Sequence, residues 1–127
     1  DAAGRARVRA LAQIVACDIH PLNNLRVLQW LRNHLGADKG QRNQWYRHWI
    51  SEGFNALEAL LRNSRATGRY CHGDTPSLAD LCLIPQVYNA IRYECDLEAY
   101  PEIRRINTAC LELDAFAKAV PEAQPDA

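Results

Sequence analysis

The segment from Ser77 to Tyr88 restricts the possible folds of this chain more than any other part of its sequence. Ser77 is followed three residues later by Asp80, the spacing of a capping box, in which two side chains satisfy backbone N–H groups at a helix start. The residues after Asp80 are almost wholly apolar and include Pro85. A helix that is apolar on every side is buried, so the pattern predicts a central helix that bends at Pro85.

Apolar residues at spacings of three or four recur along the rest of the chain, which is typical of amphipathic helices. Gly53 lies within the most regular of these segments, where it costs about 1 kcal/mol relative to alanine, so we expect another helix to approach it closely. Pro21 interrupts the first segment, and Gly36 is a typical helix stop. No segment alternates long enough to indicate a strand. The sequence therefore predicts an all-α helical bundle, with helices over 8–19, 23–35, 44–61, 77–94, 101–113 and 114–120, a loop over 63–74 and a polar surface tail over 121–127.

Composition indicates a soluble globular protein. The chain has 127 residues, 48% hydrophobic and 24% charged, which suits one domain with a single core. It lacks an apolar run of the roughly 18 residues that a membrane span needs and has no secretion signal at its start. Its five cysteines are scattered without a C-x-x-C pair, which favours a cytoplasmic protein with cysteines as small apolar fillers.

The charges and the histidines exclude two classes of ligand. The net charge is zero, although residues 1–50 hold eight Lys or Arg against three Asp or Glu. That excess is too small for a nucleic-acid surface and suits a small anionic ligand better. The four histidines show no ligand spacing with carboxylates or cysteines, so we expect no metal site.

The sequence contains no methionine, and its first residue is Asp1. Translation begins with methionine, and a large acidic residue is a poor context for removing it. We therefore expect the chain to be a piece of a longer protein.

Four strings resemble the C-terminal domain of zeta-class glutathione transferases, a class that includes maleylacetoacetate and maleylpyruvate isomerases. They are ADLCLIPQVYNA, WISEGFNALEALL, DIHPLNNLRVL and AVPEAQPDA, and with the S-x-A-D box they cover essentially the whole chain in order. The resemblance implies that residues 1–127 are one helical C-terminal domain. Its partner would be a thioredoxin-like N-terminal domain of the same protein, which binds glutathione and activates its thiol, and family members are typically homodimers.

The resemblance also implies a set of site residues. It assigns His20, Asn24, Leu25 and Arg26 to glutathione binding, Arg26 and Arg92 to the substrate, and a catalytic role to Arg92. Taken alone, His20 is a helix-end residue, Asn24 a helix cap, Arg26 a solvated side chain and Arg92 a favourable charge at a helix C-terminus. The guanidinium of Arg92 also suits a carboxylate, because its planar fork donates two hydrogen bonds.

The activity that the resemblance implies is glutathione-dependent cis–trans isomerisation of maleylpyruvate to fumarylpyruvate, through reversible addition of a thiolate to the double bond. Histidine and arginine at positions 20 and 26, where the animal enzymes carry glutamine and serine, favour maleylpyruvate over maleylacetoacetate. Conjugation or dehalogenation of small acids and a non-catalytic docking module remain as alternatives. We expect His20, Asn24, Arg26 and Arg92 to line one cleft, and the chain alone to be inactive.

Overall fold

A computed structural model describes residues 1–126, and the all-α prediction is confirmed. Over that range the only β-type pairing is an isolated bridge between Thr67 and Gly73. Ala127, the last residue of the predicted tail and of the predicted domain, lies outside the described residues. The elements are α1 (Ala2–Gln13), a π-helix (Ile14–Ile19), α2 (His20–Leu22), α3 (Leu25–Leu35), α4 (Lys39–Arg62), α5 (Leu78–Arg92), α6 (Pro101–Leu111), α7 (Asp114–Ala117) and a 3-10 turn (Pro121–Ala123).

The first helix continues past the point where we expected Pro21 to end it. The π-helix and α2 follow α1 without a gap, and Pro21 lies inside α2. A proline has no N–H to donate, and the helix ends at Leu22, with Asn23 as its C-cap. Asn24 then caps α3 by accepting the backbone N–H of Arg26 at 3.1 Å.

Helix α3 ends at Gly36 as predicted, and α4 begins five residues before the predicted start. Gly36 adopts the left-handed conformation, with φ of 65°. Asp38 and Gln41 form a capping box that starts α4: the Gln41 N–H donates to Asp38 Oδ1 at 2.8 Å, and the Asp38 N–H donates to Gln41 Oε1 at 2.9 Å. Two orphan donors are thereby satisfied before the apolar pattern begins.

The capping box predicted at Ser77 and Asp80 is present and is more buried than a typical cap. Asp80 is fully buried. Its Oδ2 accepts the N–H of Ser77 at 2.8 Å, and its Oδ1 accepts the N–H of Cys71 at 2.9 Å. The carboxylate therefore joins the start of α5 to the preceding loop.

The predicted burial of α5 on every side is wrong. Leu78, Leu81 and Ile91 expose 52%, 58% and 59% of their surface. The other side of α5 packs on α1 and α6, so only that side belongs to the core. The core residues with almost no exposed surface include Phe54, Ile50 and Leu57 of α4, Leu83 and Val87 of α5, and Ile103 and Ile106 of α6.

The last helix is shorter than predicted. Helix α7 ends at Ala117 rather than at Val120, and the 3-10 turn begins at Pro121. No helix within residues 1–126 is both long enough and apolar enough to cross a bilayer.

Candidate functional site

A cavity of about 490 Å³ opens between α5, α6 and the C-terminal segment. Most of its wall is apolar, whereas Asn89, Arg92 and Asn107 supply polar groups. An apolar pocket with a few polar groups is the usual form of a site for a small molecule. The apolar wall consists mainly of Leu81, Ile84, Pro85, Ile91, Leu111, Phe116 and Val120.

Arg92 is the only charged side chain among the residues that line this cavity. It is the last residue of α5 and is exposed. Within residues 1–126 its guanidinium takes part in no hydrogen bond or ion pair, so all its donors are available for a ligand. A planar guanidinium in this state is suited to a carboxylate.

The phenols near Arg92 are held in their protonated form. Burial raises the pKa of Tyr46 to about 12, with Tyr93 adding to the rise and the positive charge of Arg92 opposing it. A hydrogen bond to Glu122 raises the pKa of Tyr88, and Arg92 again opposes the rise. Neither phenol competes with an anionic ligand for Arg92 at neutral pH.

The C-terminal segment is joined to the cavity wall by one hydrogen bond. The Tyr88 hydroxyl donates to Glu122 Oε1 at 2.7 Å, and this bond lowers the pKa of Glu122. Sequence reasoning missed this contact, because it treated Tyr88 as part of an apolar run. The spacing of Tyr88 and Arg92, four residues apart in a helix, places both on one face; it could have indicated that Tyr88 lines the same cavity, but not that it contacts Glu122.

The residues predicted to bind glutathione lie at the bend between the π-helix and α3. His20 and Arg26 are exposed, and Leu25 exposes 66% of its surface. Asn24 is half-buried, and its Oδ1 accepts the Arg26 N–H. Within residues 1–126, the side chains of His20 and Arg26 have no hydrogen-bond partner, and neither does the amide nitrogen of Asn24. The bend therefore presents an imidazole, an amide and a guanidinium to a ligand.

The cavity that Arg92 lines does not include His20, Asn24 or Arg26, so the four predicted side chains do not share that cavity. Tyr46 of α4 lies between the two groups. Its backbone oxygen accepts the amide of Asn23 at 3.0 Å, and its ring stacks on Tyr93, the residue after Arg92. Helix α4 thus connects the bend to the end of α5.

The five cysteines differ in burial, and Cys82 and Cys95 are half-buried. Cys71 and Cys110 are buried, and burial raises the pKa of Cys110 to about 12 and raises that of Cys71 as well. Cys17 is exposed, so its interpretation as an apolar filler is wrong. Among residues 1–126 no cluster of three His, Cys, Asp or Glu side chains is arranged to hold a metal ion.

Comparison with known proteins gives relatives that match nearly the whole chain. Residues 43–106 match the family described as the glutathione S-transferase C-terminal domain. A maleylpyruvate isomerase from a Ralstonia species is 58% identical over 126 residues, which cover 99% of this chain and 59% of the relative. The chain therefore spans about 59% of the length of this relative.

Two solved structures have the same fold over the whole chain. A holo maleylpyruvate isomerase, a bacterial zeta-class glutathione transferase, superimposes with a TM-score of 0.98 at 57% identity and covers 100% of this chain and 60% of its own. A maleylacetoacetate isomerase from Methylobacterium extorquens AM1, solved with bound malonate and glutathione, gives 0.97 at 42% identity, covering 100% of this chain and 59% of its own.

Proposed function

The chain belongs to the glutathione S-transferase family, as a C-terminal helical domain, and on this premise we propose that it is part of a zeta-class enzyme that isomerises maleylpyruvate to fumarylpyruvate. The observation that carries the proposal is the guanidinium of Arg92, which has no partner within residues 1–126 and lines an apolar cavity of about 490 Å³. The relatives named maleylpyruvate and maleylacetoacetate isomerase support the same activity.

The chain provides the substrate side of the proposed enzyme. It spans only 59% of the Ralstonia relative, so we assign glutathione binding and thiol activation mainly to a thioredoxin-like N-terminal domain of the same protein. We further propose a homodimer, which is typical of the class, and a cytoplasmic location. In this division of labour, residues 1–127 alone have no isomerase activity.

The donors at the bend suit glutathione, which carries two carboxylates and two amides. Arg26 offers a guanidinium to a carboxylate, the Asn24 amide nitrogen offers a neutral donor, and His20 offers a ring nitrogen. Leu25, exposed between them, provides an apolar contact. We propose that these four residues orient glutathione against the N-terminal domain.

When bound, glutathione would supply thiolate chemistry: reversible addition to the cis double bond, which permits rotation, and loss of the same thiolate, which restores the double bond as trans. Arg92 holds a substrate carboxylate and stabilises the negative charge that develops on the adjacent carbonyl oxygen. A fixed positive charge stabilises such a developing charge most strongly where water is excluded, and Ile84, Pro85 and Phe116 line the cavity with apolar surface. Arg26 adds positive charge on the glutathione side.

Four outcomes are distinguishable with the full-length protein. It is assayed with glutathione against maleylpyruvate, maleylacetoacetate and a small halogenated acid, and the loss of each substrate is followed by chromatography. Fastest turnover of maleylpyruvate supports the proposal. Faster turnover of maleylacetoacetate or of the halogenated acid reassigns the reaction within the class, and no turnover at all favours a docking module. Isomerase activity in residues 1–127 alone contradicts the division of labour.

A further inference from the structure

The helix that leads to His20 widens immediately before it. Ile14–Ile19 form a π-helix, and the backbone N–H of His20 donates to the carbonyl of Val15, five residues earlier. A π-helix is rare and usually persists only where surrounding contacts stabilise it. The widened turn changes the register of every residue that follows, so the direction of the His20 side chain depends on it.

Gly53 of α4 provides the contact that accommodates this turn. A Cβ placed at Gly53 would overlap Cγ1 and Cδ1 of Ile19, the last residue of the π-helix. Ile19 is 1% exposed, so its side chain cannot move aside into solvent. Glycine is thus the only residue at position 53 that leaves Ile19 in place.

Two hydrogen bonds tie the next residues to the same helix. The indole Nε1 of Trp45 donates to the Leu22 carbonyl at 2.9 Å, and the amide of Asn23 donates to the Tyr46 carbonyl at 3.0 Å. Carbonyls at a helix C-terminus lack partners within their own helix, and here a side chain of α4 supplies one. Residues 19, 22 and 23 are therefore each held by α4.

We propose that Gly53 and Trp45 are positioning residues for glutathione: they hold the π-helix and the bend so that His20 and Asn24 meet the ligand correctly. His20 directly follows Ile19, and Asn24 directly follows Asn23, so neither can keep its position if those contacts are lost. The inference rests on the proposed function, because it takes His20 and Asn24 to contact glutathione. Neither Gly53 nor Trp45 itself needs to touch the ligand.

The test is the glutathione affinity of Gly53→Ala in the full-length protein, measured by titration calorimetry and as the KM for glutathione. The added methyl group displaces Ile19, and we expect the dissociation constant and the KM for glutathione each to rise about tenfold. The KM for maleylpyruvate and kcat at saturating glutathione should stay within about twofold, since Arg92 is not moved. Adding Ile19→Ala to Gly53→Ala removes the overlapping atoms and should restore most of the affinity.

Two controls separate positioning from a general loss of stability. Gly40→Ala makes the same change in the first turn of α4, where the new Cβ meets only Asp38 Oδ1 at 3.2 Å. Ile106→Val removes a methyl group from a fully buried position in α6. Both should leave the glutathione affinity unchanged, and an equal rise in either control overturns the inference.

Trp45→Phe keeps the test decisive if Gly53→Ala does not fold, because it removes the donor to Leu22 while keeping an aromatic ring beside Trp49. We expect it to weaken glutathione binding about threefold, a typical effect of one hydrogen bond. Unchanged affinity in both variants overturns the inference. A wild-type protein that binds glutathione without isomerising maleylpyruvate removes the proposed function but leaves the inference testable by affinity, whereas a wild type that does not bind glutathione overturns both.

Discussion

The rings of Tyr46 and Tyr93 stack in parallel, with centroids 3.6 Å apart and an interplanar angle of 4°. Tyr46 belongs to α4, and Tyr93 directly follows Arg92 at the end of α5. The pair therefore fixes the point in α5 from which Arg92 extends into the cavity. Tyr46 also connects that point to the bend, because its carbonyl accepts the amide of Asn23.

Removing one ring of this pair should lower stability. We expect Tyr93→Ala to reduce the free energy of unfolding by about 2–3 kcal/mol, since it loses both buried apolar area and a stacking contact. Urea unfolding followed by fluorescence measures the change. Tyr46→Phe keeps both rings and should stay within about 0.5 kcal/mol of the wild type; an equal loss in the two variants would show that stacking is not responsible.

Arg92 should matter for turnover and not for folding. In the full-length enzyme, we expect Arg92→Ala to lower kcat/KM for maleylpyruvate about 100-fold, roughly 2.7 kcal/mol of transition-state stabilisation. Arg92→Lys keeps the positive charge but loses the planar guanidinium, so its kcat/KM should lie between those of the wild type and Arg92→Ala. Steady-state kinetics at saturating glutathione measures the effect, and wild-type kinetics in Arg92→Ala would remove this residue from the mechanism.

The buried carboxylate of Asp80 should be among the most sensitive positions for stability. In Asp80→Asn an amide nitrogen replaces either the oxygen that accepts the N–H of Cys71 or the oxygen that accepts both the N–H and the hydroxyl of Ser77, so at least one donor loses its partner. We expect a loss of about 3 kcal/mol in the free energy of unfolding, against about 1 kcal/mol for Ser77→Ala, which removes only the hydroxyl that donates to Asp80 Oδ2. Chemical denaturation of both variants compares the two losses, and equal losses would mean that the bond to Cys71 contributes nothing.

The contact between Tyr88 and Glu122 should depend on pH. The hydrogen bond lowers the pKa of Glu122 in the folded protein, so the contact is fully present above the ordinary pKa of a glutamate. It is lost as the pH falls through the lowered value and the carboxylate takes up a proton. An NMR titration of Glu122 measures the pKa, and Tyr88→Phe should return it to the ordinary range; a pKa that is the same in the variant and the wild type contradicts the assignment.

Local signals in the sequence were sufficient for the helices and caps but not for the surfaces. The Ser77 box and the stop at Gly36 follow from short-range chemistry, and a glycine on the apolar face of α4 indicated a close approach at Gly53 without identifying Ile19 as the partner; all three predictions are confirmed. The early start of α4 was also predictable, because Asp38 and Gln41 have capping-box spacing. The exposure of Leu81 was not predictable, because the sequence pattern of an apolar residue is the same whether it packs within the chain or lies on the surface.

The candidate site depends on contacts between distant segments, which the sequence pattern does not encode. Nothing near Pro21 indicates that the helix widens into a π-helix, because that conformation depends on Ile19 reaching Gly53 in another helix. Likewise, Tyr88 and Glu122 meet across 34 residues. The roles of His20, Asn24, Leu25, Arg26 and Arg92 come from the resemblance and stay predictions until ligand binding is measured.

The close packing of Ile19 against Gly53 has an evolutionary consequence. While isoleucine occupies position 19, any side chain at position 53 displaces it, so a larger residue at position 53 is tolerated best after residue 19 has become smaller. We expect the two positions to change together among descendants of this gene, in that order. The size of residue 53 therefore indicates the size of the residue at position 19.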